Sequence, residues 1–272
     1  SNQRNAGPSK TGYRVFINSQ LESGLARLLD DYPVLGRLIS TLVVQWIEAS
    51  TELITRLYHD RSSLETTFGV EPGADLKGIK TDLSDPHRGG RTVSILIFTG
   101  DVKVVYKPKD LRLDRAYQKF LTRCNELAGE LRFRVLSILP RNGYGYVEWV
   151  EHQLCTNEEE LKHFYRNAGW LMAVLHVLGC TDCHHENLIA SGEQLVLIDT
   201  ETLFEGDLLD HVHSRVQSFS ELENLMGRSV LHIGLLPRWL YVGNSNRKAV
   251  DISALGVSPP EECESEQRGW LG

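Results

Sequence analysis

The chain has 272 residues, 41% of them hydrophobic and 24% charged, an ordinary composition for one large or two modest globular domains. Its formal net charge of -7, with no run of Lys and Arg, argues against a nucleic-acid binder. Five scattered cysteines argue against a secreted disulfide framework, and they read as thiols of a reducing cytoplasm.

Residues 1–14 read as a loose lead-in without the apolar core of a signal peptide. From Leu21 to about Leu64 the spacing is helical, with Pro33 separating two helices. Leu35, Leu38, Ile39, Leu42, Val43 and Ile47 form an apolar set that could be a binding platform for a partner and is read here as burying its face against the rest of the protein. The stretch from Val34 to Ile47 is interrupted by Gly36, Arg37 and Gln45 and is too short to span a bilayer, so the protein is read as cytoplasmic.

Asp85-Pro-His-Arg-Gly-Gly-Arg91 is polar and turn-rich. Asp85 and His87 could form an acid/base pair or an Asx-type turn around Pro86. Arg88 to Arg91 stand just before a hairpin, where a phosphate-covering loop would lie, although the glycines do not match G-x-G-x-x-G. Val93–Phe98 and Val102–Lys107 are strands joined across Gly100-Asp101. Lys107 closes a Val-Val-Tyr-Lys strand comparable to the V-A-I-K strand of kinases, from which an ammonium can reach nucleotide phosphates.

Leu111–Leu127 reads as a helix with Leu113, Ala116, Phe120 and Leu127 on one stripe. Phe133–Leu139 and Tyr144–Val150 read as strands either side of a Pro140-Arg-Asn-Gly143 turn, and hairpin, helix, hairpin is the layout of a kinase small lobe. Thr156-x-x-Glu159 is a capping box, opening a helix with an apolar face from Leu161 to Leu175 and a left-handed cap at Gly179.

Two polar islands follow. Thr181-Asp-Cys-His-His-Glu-Asn187 keeps the D-x-x-x-x-N spacing of a kinase catalytic loop, and a short hairpin over 188–198 returns Asp199 beside it. Asp182 suits a base that holds an acceptor hydroxyl and takes its proton late. Asn187, Asp199 and Glu201 offer the oxygen ligands that magnesium takes. His184, His185, Glu186 and Cys183 also allow a zinc hydrolase reading, which the adjacency of the two histidines disfavours. Gln217–Leu231 reads as helical, Leu235–Trp239 begins a new turn, and the end is loop-like.

Together these stretches resemble the dehydratase domain of class II (LanM-type) lanthipeptide synthetases. The matching runs are Asp85–Arg91, Val105-Tyr-Lys-Pro-Lys109, Tyr144–Trp149, Leu178–Leu188, Leu197–Phe204 and Ser229–Pro237. The resemblance implies an α+β, lipid-kinase-like two-lobe core. It would carry a helical segment (1–80), a small lobe (81–155) and a partial large lobe (156–272). It implies ATP and Mg2+ as cofactors, and a ribosomal precursor peptide whose Ser and Thr are phosphorylated and then lose phosphate to give dehydroalanine and dehydrobutyrine.

By position, Lys107 and Arg91 would face the nucleotide, with Asn187 and Asp199. Asp182, His184 and Asn187 would form the catalytic loop, Asn187, Asp199 and Glu201 would hold the metal, and Asp85 and His87 would share in elimination. Family members are several times longer and carry a C-terminal zinc cyclase, so the chain reads as a truncated homologue with the cyclase separate or missing. An inactive kinase-like module that only docks a precursor peptide is the alternative.

Overall fold

The computed structural model describes residues 10–81, 83–87, 89–127, 129, 132–204, 229–237, 239–242, 248–251 and 253–256. The chain divides into two compact units, residues 1–60 with 86–91, and residues 61–85 with 92–272.

The smaller unit is helical. It contains α1 (Lys10–Ser23), α2 (Ala26–Asp31) and most of α3 (Pro33–Phe68), whose last turns from Arg61 belong to the larger unit. Residues 10–14, inside the segment expected to be a loose lead-in, are helical. Gly24 and Leu25, both at positive φ, break α1 from α2, and Pro33 opens α3 as its sequence position predicts.

The expected burial of the α3 apolar set is not found. Leu38, Leu42 and Val43 are exposed, as is Trp46, and burial begins only at Leu53 and Leu57. Among the described residues the other elements of this unit are two short helices and the loop over 86–91, little cover for a helix roughly 54 Å long. That loop closes on itself through reciprocal 2.9 Å backbone bonds between His87 and Arg91. Gly90, at φ +81, lies so close to α3 that a Cβ there would come within 3.2 Å of Gln45 Cβ.

The larger unit is built on a five-stranded antiparallel sheet in the order β1-β2-β3-β5-β4. Its strands are β1 (Leu76–Lys80), β2 (Ser94–Phe98), β3 (Lys103–Lys107), β4 (Ile138–Arg141) and β5 (Tyr144–Glu148), with α4 (Arg112–Leu127) between β3 and β4. The β2–β3 hairpin turns at Gly100 and Asp101, both at positive φ, as anticipated. β1 was not anticipated. Its Leu-Lys-Gly-Ile-Lys sequence has little strand propensity and is recruited by pairing with β2.

The strand expected over 133–139 is displaced. Residues 133–137 are irregular because side chains of α4 take their backbone groups. Asn125 bonds both N–H and C=O of Phe133 (2.9 and 2.8 Å), and Gln118 accepts from Leu136 N–H at 2.8 Å. β4 then runs through Pro140, tolerated because β4 is an edge strand. Gly145 is required on β5, since a Cβ there would come within 2.7 Å of the backbone oxygen of Leu139.

Helix α5 (Glu158–Val177) is capped one residue later than expected. Asn157 Oδ1 accepts from the N–H groups of Glu159 and Glu160, while Thr156 donates its N–H and hydroxyl to Glu160. Its C-terminus is a Schellman motif: Cys180 N–H reaches Leu175 O (2.9 Å), Gly179 N–H reaches His176 O (3.1 Å), and Gly179 sits at φ +61. Only Asn167, Ala168, Leu171 and Leu175 of α5 are buried, a narrower face than the expected one, and Leu161 and Tyr165 are exposed.

The hairpin of β6 (Leu188–Ser191) and β7 (Gln194–Leu197) follows, as read from the sequence. Of the expected helix over 217–231, residues 217–228 lie outside the described residues, and Val230–Ile233 form a 3-10 turn. The expected loop-like end instead contains the hairpin of β8 (Trp239–Val242) and β9 (Lys248–Asp251), consistent with the strand-forming Trp-Leu-Tyr-Val run.

Two apolar cores meet at β7. Leu195 and Leu197 join Tyr117, Leu171, Leu175 and Ile233, whereas Val196 and Ile198 join Ile95, Val105, Leu111 and Val147 behind the sheet. Strand alternation thus serves both sides, and Asp199 emerges at the end of a segment clamped between them.

Candidate active site

The sequence places Lys107 as the last residue of β3, and the fold buries it to 3% exposure. Its Nζ donates to Ile198 O and lies 3.9 Å from Asp114 Oδ1, itself 5% exposed on α4. Burial first, and then the charge of Lys109, draw the Lys107 ammonium below the ordinary lysine range, against the pull of Asp114, Asp199 and Glu201.

Asp114 was missed because the buried face of α4 is not the expected one. The face is Asp114, Tyr117, Gln118 and Leu121, while Phe120 and Leu127 of the expected stripe are exposed. The i, i+3, i+4, i+7 spacing was readable, but two of its members are polar.

Two residues after Lys107, Lys109 bridges both carboxylates of the second polar island. Its Nζ donates to Asp199 Oδ1 at 2.9 Å and to Glu201 Oε1 at 2.8 Å. Burial works against the Lys109 charge, yet Asp199 and Glu201 outweigh it and raise the group above its usual value. Burial likewise opposes ionisation of Asp199, but Lys109 and Lys107 bring it below the usual carboxylate range. Lys109 was also missed; it lies beyond the end of β3, after Pro108.

The loop after α5 is anchored at both ends. Cys183 N–H bonds Ile233 O at 2.8 Å, and Asn187 O accepts Ile198 N–H at 2.9 Å. The Asn187 amide donates to Asp182 O at 2.9 Å and to Asp182 Oδ2 at 3.1 Å. His184 Nε2 faces Asp182 Oδ1 at 3.5 Å while Nδ1 accepts Glu186 N–H at 3.1 Å, so the network assigns the ring hydrogen to Nε2. Ile198 is the junction: its C=O receives Lys107, its N–H reaches Asn187, and Asn187 orients Asp182. Lys107 and Asn187 thereby meet at Ile198 through the two peptide groups that flank it, the second of which leads into Asp199, and Lys109 ties Asp199 to Glu201.

The remaining candidates are described each within its own unit. Asp85 is exposed, in the larger unit, and its backbone C=O accepts from the Ser84 hydroxyl at 3.2 Å. His87 is exposed, in the smaller unit. Arg91, also in the smaller unit, holds Glu52 through Nε (3.1 Å) and Nη2 (2.6 Å), and Glu52 also pairs with Arg56. Arg88 lies outside the described residues.

The donor set fits a hard cation better than zinc. Two carboxylates already share one positive charge, the Lys109 ammonium standing in the place a cation would take. Cys183 turns away from His184 into the core, 3.1 Å from Cys180 Sγ. Among the described residues no three His, Cys, Asp or Glu side chains converge as a metal site. Cys180 also contacts Thr202 Oγ1 at 3.3 Å, and the Cys183 hydrogen bond draws its thiol below the usual value against burial. Among the described residues no helix is long and apolar enough to cross a membrane.

Residues 32–272 match a family described as a domain of unknown function, DUF4135. The Lacticin 481/lactococcin biosynthesis protein LcnDR2 of Lactococcus lactis subsp. lactis is 26% identical over 235 residues, 83% of this chain. The chain spans 25% of the length of that curated relative. Both matches agree with the resemblance carried by the motifs.

Proposed function

The chain belongs to the DUF4135 family, and on that premise we propose that it is the core of a lanthipeptide dehydratase with a lipid-kinase-like fold. The substrate is a ribosomal precursor peptide, in keeping with a relative named for lacticin 481/lactococcin biosynthesis. ATP is the phosphoryl donor. The observation that carries this reading is the network around Ile198, whose C=O receives Lys107 and leads into Asp199, and whose N–H bonds Asn187, which in turn holds Asp182.

In the first reaction a Ser or Thr hydroxyl oxygen bonds to the γ-phosphorus of ATP while the bond to ADP breaks. Asp182, held by Asn187 and facing His184, orients that hydroxyl and accepts its proton. Lys107, with Asp114 as its counter-charge on α4, is arranged like the strand-lysine and helix-carboxylate pair of kinases, and its ammonium would leave the Ile198 carbonyl to meet the phosphates. Asn187, Asp199 and Glu201 would hold Mg2+, which when bound neutralises charge on the phosphates. In the second reaction a base removes the Cα proton, the Cβ–O bond breaks, and phosphate leaves with the bonding electrons. To Asp85 and His87 we assign a share in that step.

The test is the mass of a precursor peptide incubated with the protein, ATP and Mg2+. Wild type yields phosphorylated or dehydrated peptide, and Asp182→Asn yields neither. Equal product from both removes Asp182 from its role. Peptide binding without product from folded wild type favours a docking module instead.

A further inference from the structure

We propose that Lys109 is a built-in counter-cation of the metal site, bridging Asp199 and Glu201 so that a divalent ion binds there only by displacing its ammonium. The inference rests on the reading of Asp199 and Glu201 as metal ligands given above. Its own support is the bridge: one nitrogen lies 2.9 Å from Asp199 Oδ1 and 2.8 Å from Glu201 Oε1. Two carboxylates that close repel each other unless a positive charge lies between them.

The two lysines of this segment are built for different tasks. Lys107 is pinned by Ile198 O and Asp114 in the interior. Lys109 follows Pro108, its side chain is 21% exposed, and its ammonium rides on a flexible four-carbon stem. It can swing out without any movement of β3. Glu201, with 63% of its side chain exposed, marks the open side from which an ion enters. A lysine suits such a displaceable charge, because an arginine would hold both carboxylates in a planar, multiply bonded fork. Once displaced, the ammonium needs an anion, and the phosphates of the incoming nucleotide supply one. The device therefore discourages loading of the ion alone and favours loading of ion and nucleotide together.

The test uses Mn2+ as the probe, titrated into the full chain without nucleotide and followed by the paramagnetic resonance signal of the free ion. Lys109→Met is expected to bind Mn2+ roughly tenfold tighter than wild type. Its melting temperature should fall without Mn2+ and recover with it. Lys109→Arg, a variant that keeps the charge and the fold, is expected to bind Mn2+ more weakly than wild type. Unchanged, weaker or undetectable binding by folded Lys109→Met overturns the proposal, as does tighter binding by Lys109→Arg. Asp199→Asn separates the two layers. If it abolishes Mn2+ binding while Lys109→Met changes nothing, the metal reading stands and the Lys109 inference falls. If it leaves Mn2+ affinity intact, the metal reading falls and takes the inference with it.

Discussion

The two compact units use their apolar residues in opposite ways. In the sheet-bearing unit Tyr146, Leu171 and Leu175 are 0–2% exposed, whereas on α3 in the helical unit Leu42 and Trp46 are 65% and 69% exposed. The same three-and-four spacing marks α3 and α5. Periodicity therefore reports that a helix forms, and it does not report whether the apolar face is covered.

The strongest way to break this comparison is to truncate one leucine in each unit. Leu175→Ala should cost about 2–5 kcal/mol in chemical denaturation, and Leu42→Ala less than about 0.5 kcal/mol. Equal losses would contradict the contrast. Next in size is Asp114→Ala, which strips a buried counter-charge from Lys107 and should cost about 3 kcal/mol, together with loss of peptide phosphorylation.

A smaller effect separates the two candidate caps of α5. Asn157→Ala should cost about 1 kcal/mol and Thr156→Ala less, since the side chain that takes the helix N–H groups is that of Asn157. The smallest effect belongs to the helical unit and depends on pH. The Arg91 hydrogen bond holds the Glu52 carboxyl below its usual value against the opposing push of burial, with Arg56 helping. A carboxylate lowered in the folded state contributes stability above its unfolded value, near pH 4, and loses it as pH falls through the folded value. Glu52→Gln should therefore cost at most about 1 kcal/mol near neutral pH, and its difference from wild type should vanish in acid, followed by helical circular dichroism.

Much of the sheet-bearing unit was legible. The β2–β3 hairpin announced itself by two strand-forming runs around Gly100-Asp101. The α5 cap region, the Gly179 stop and the β6–β7 hairpin likewise follow from local chemistry. What escaped was set by partners distant in sequence. β1 exists through pairing with β2, residues 133–137 lose their strand to Asn125 and Gln118, and the edge position of β4 accommodates Pro140. The candidate site shows the same division. Spacing marked Asp182 and Asn187, the end of an apolar strand marked Asp199, and the place of the Val-Val-Tyr-Lys strand in the layout marked Lys107. Asp114 escaped because two members of its buried helix face are polar, and Lys109 because it is defined by the carboxylates it faces.

The central claim is that Lys107 and Asp199 hold the nucleotide while Asp182 serves the transfer step. Calorimetric titration of Mg·ATP into wild type, Lys107→Met, Asp199→Asn and Asp182→Asn, with phosphate transfer to peptide followed in parallel, tests it most directly. Lys107→Met and Asp199→Asn should lose nucleotide affinity by roughly tenfold or more, while Asp182→Asn should bind as wild type does and transfer nothing. Wild-type nucleotide affinity in the Lys107 and Asp199 variants, or undiminished transfer by Asp182→Asn, would contradict the account.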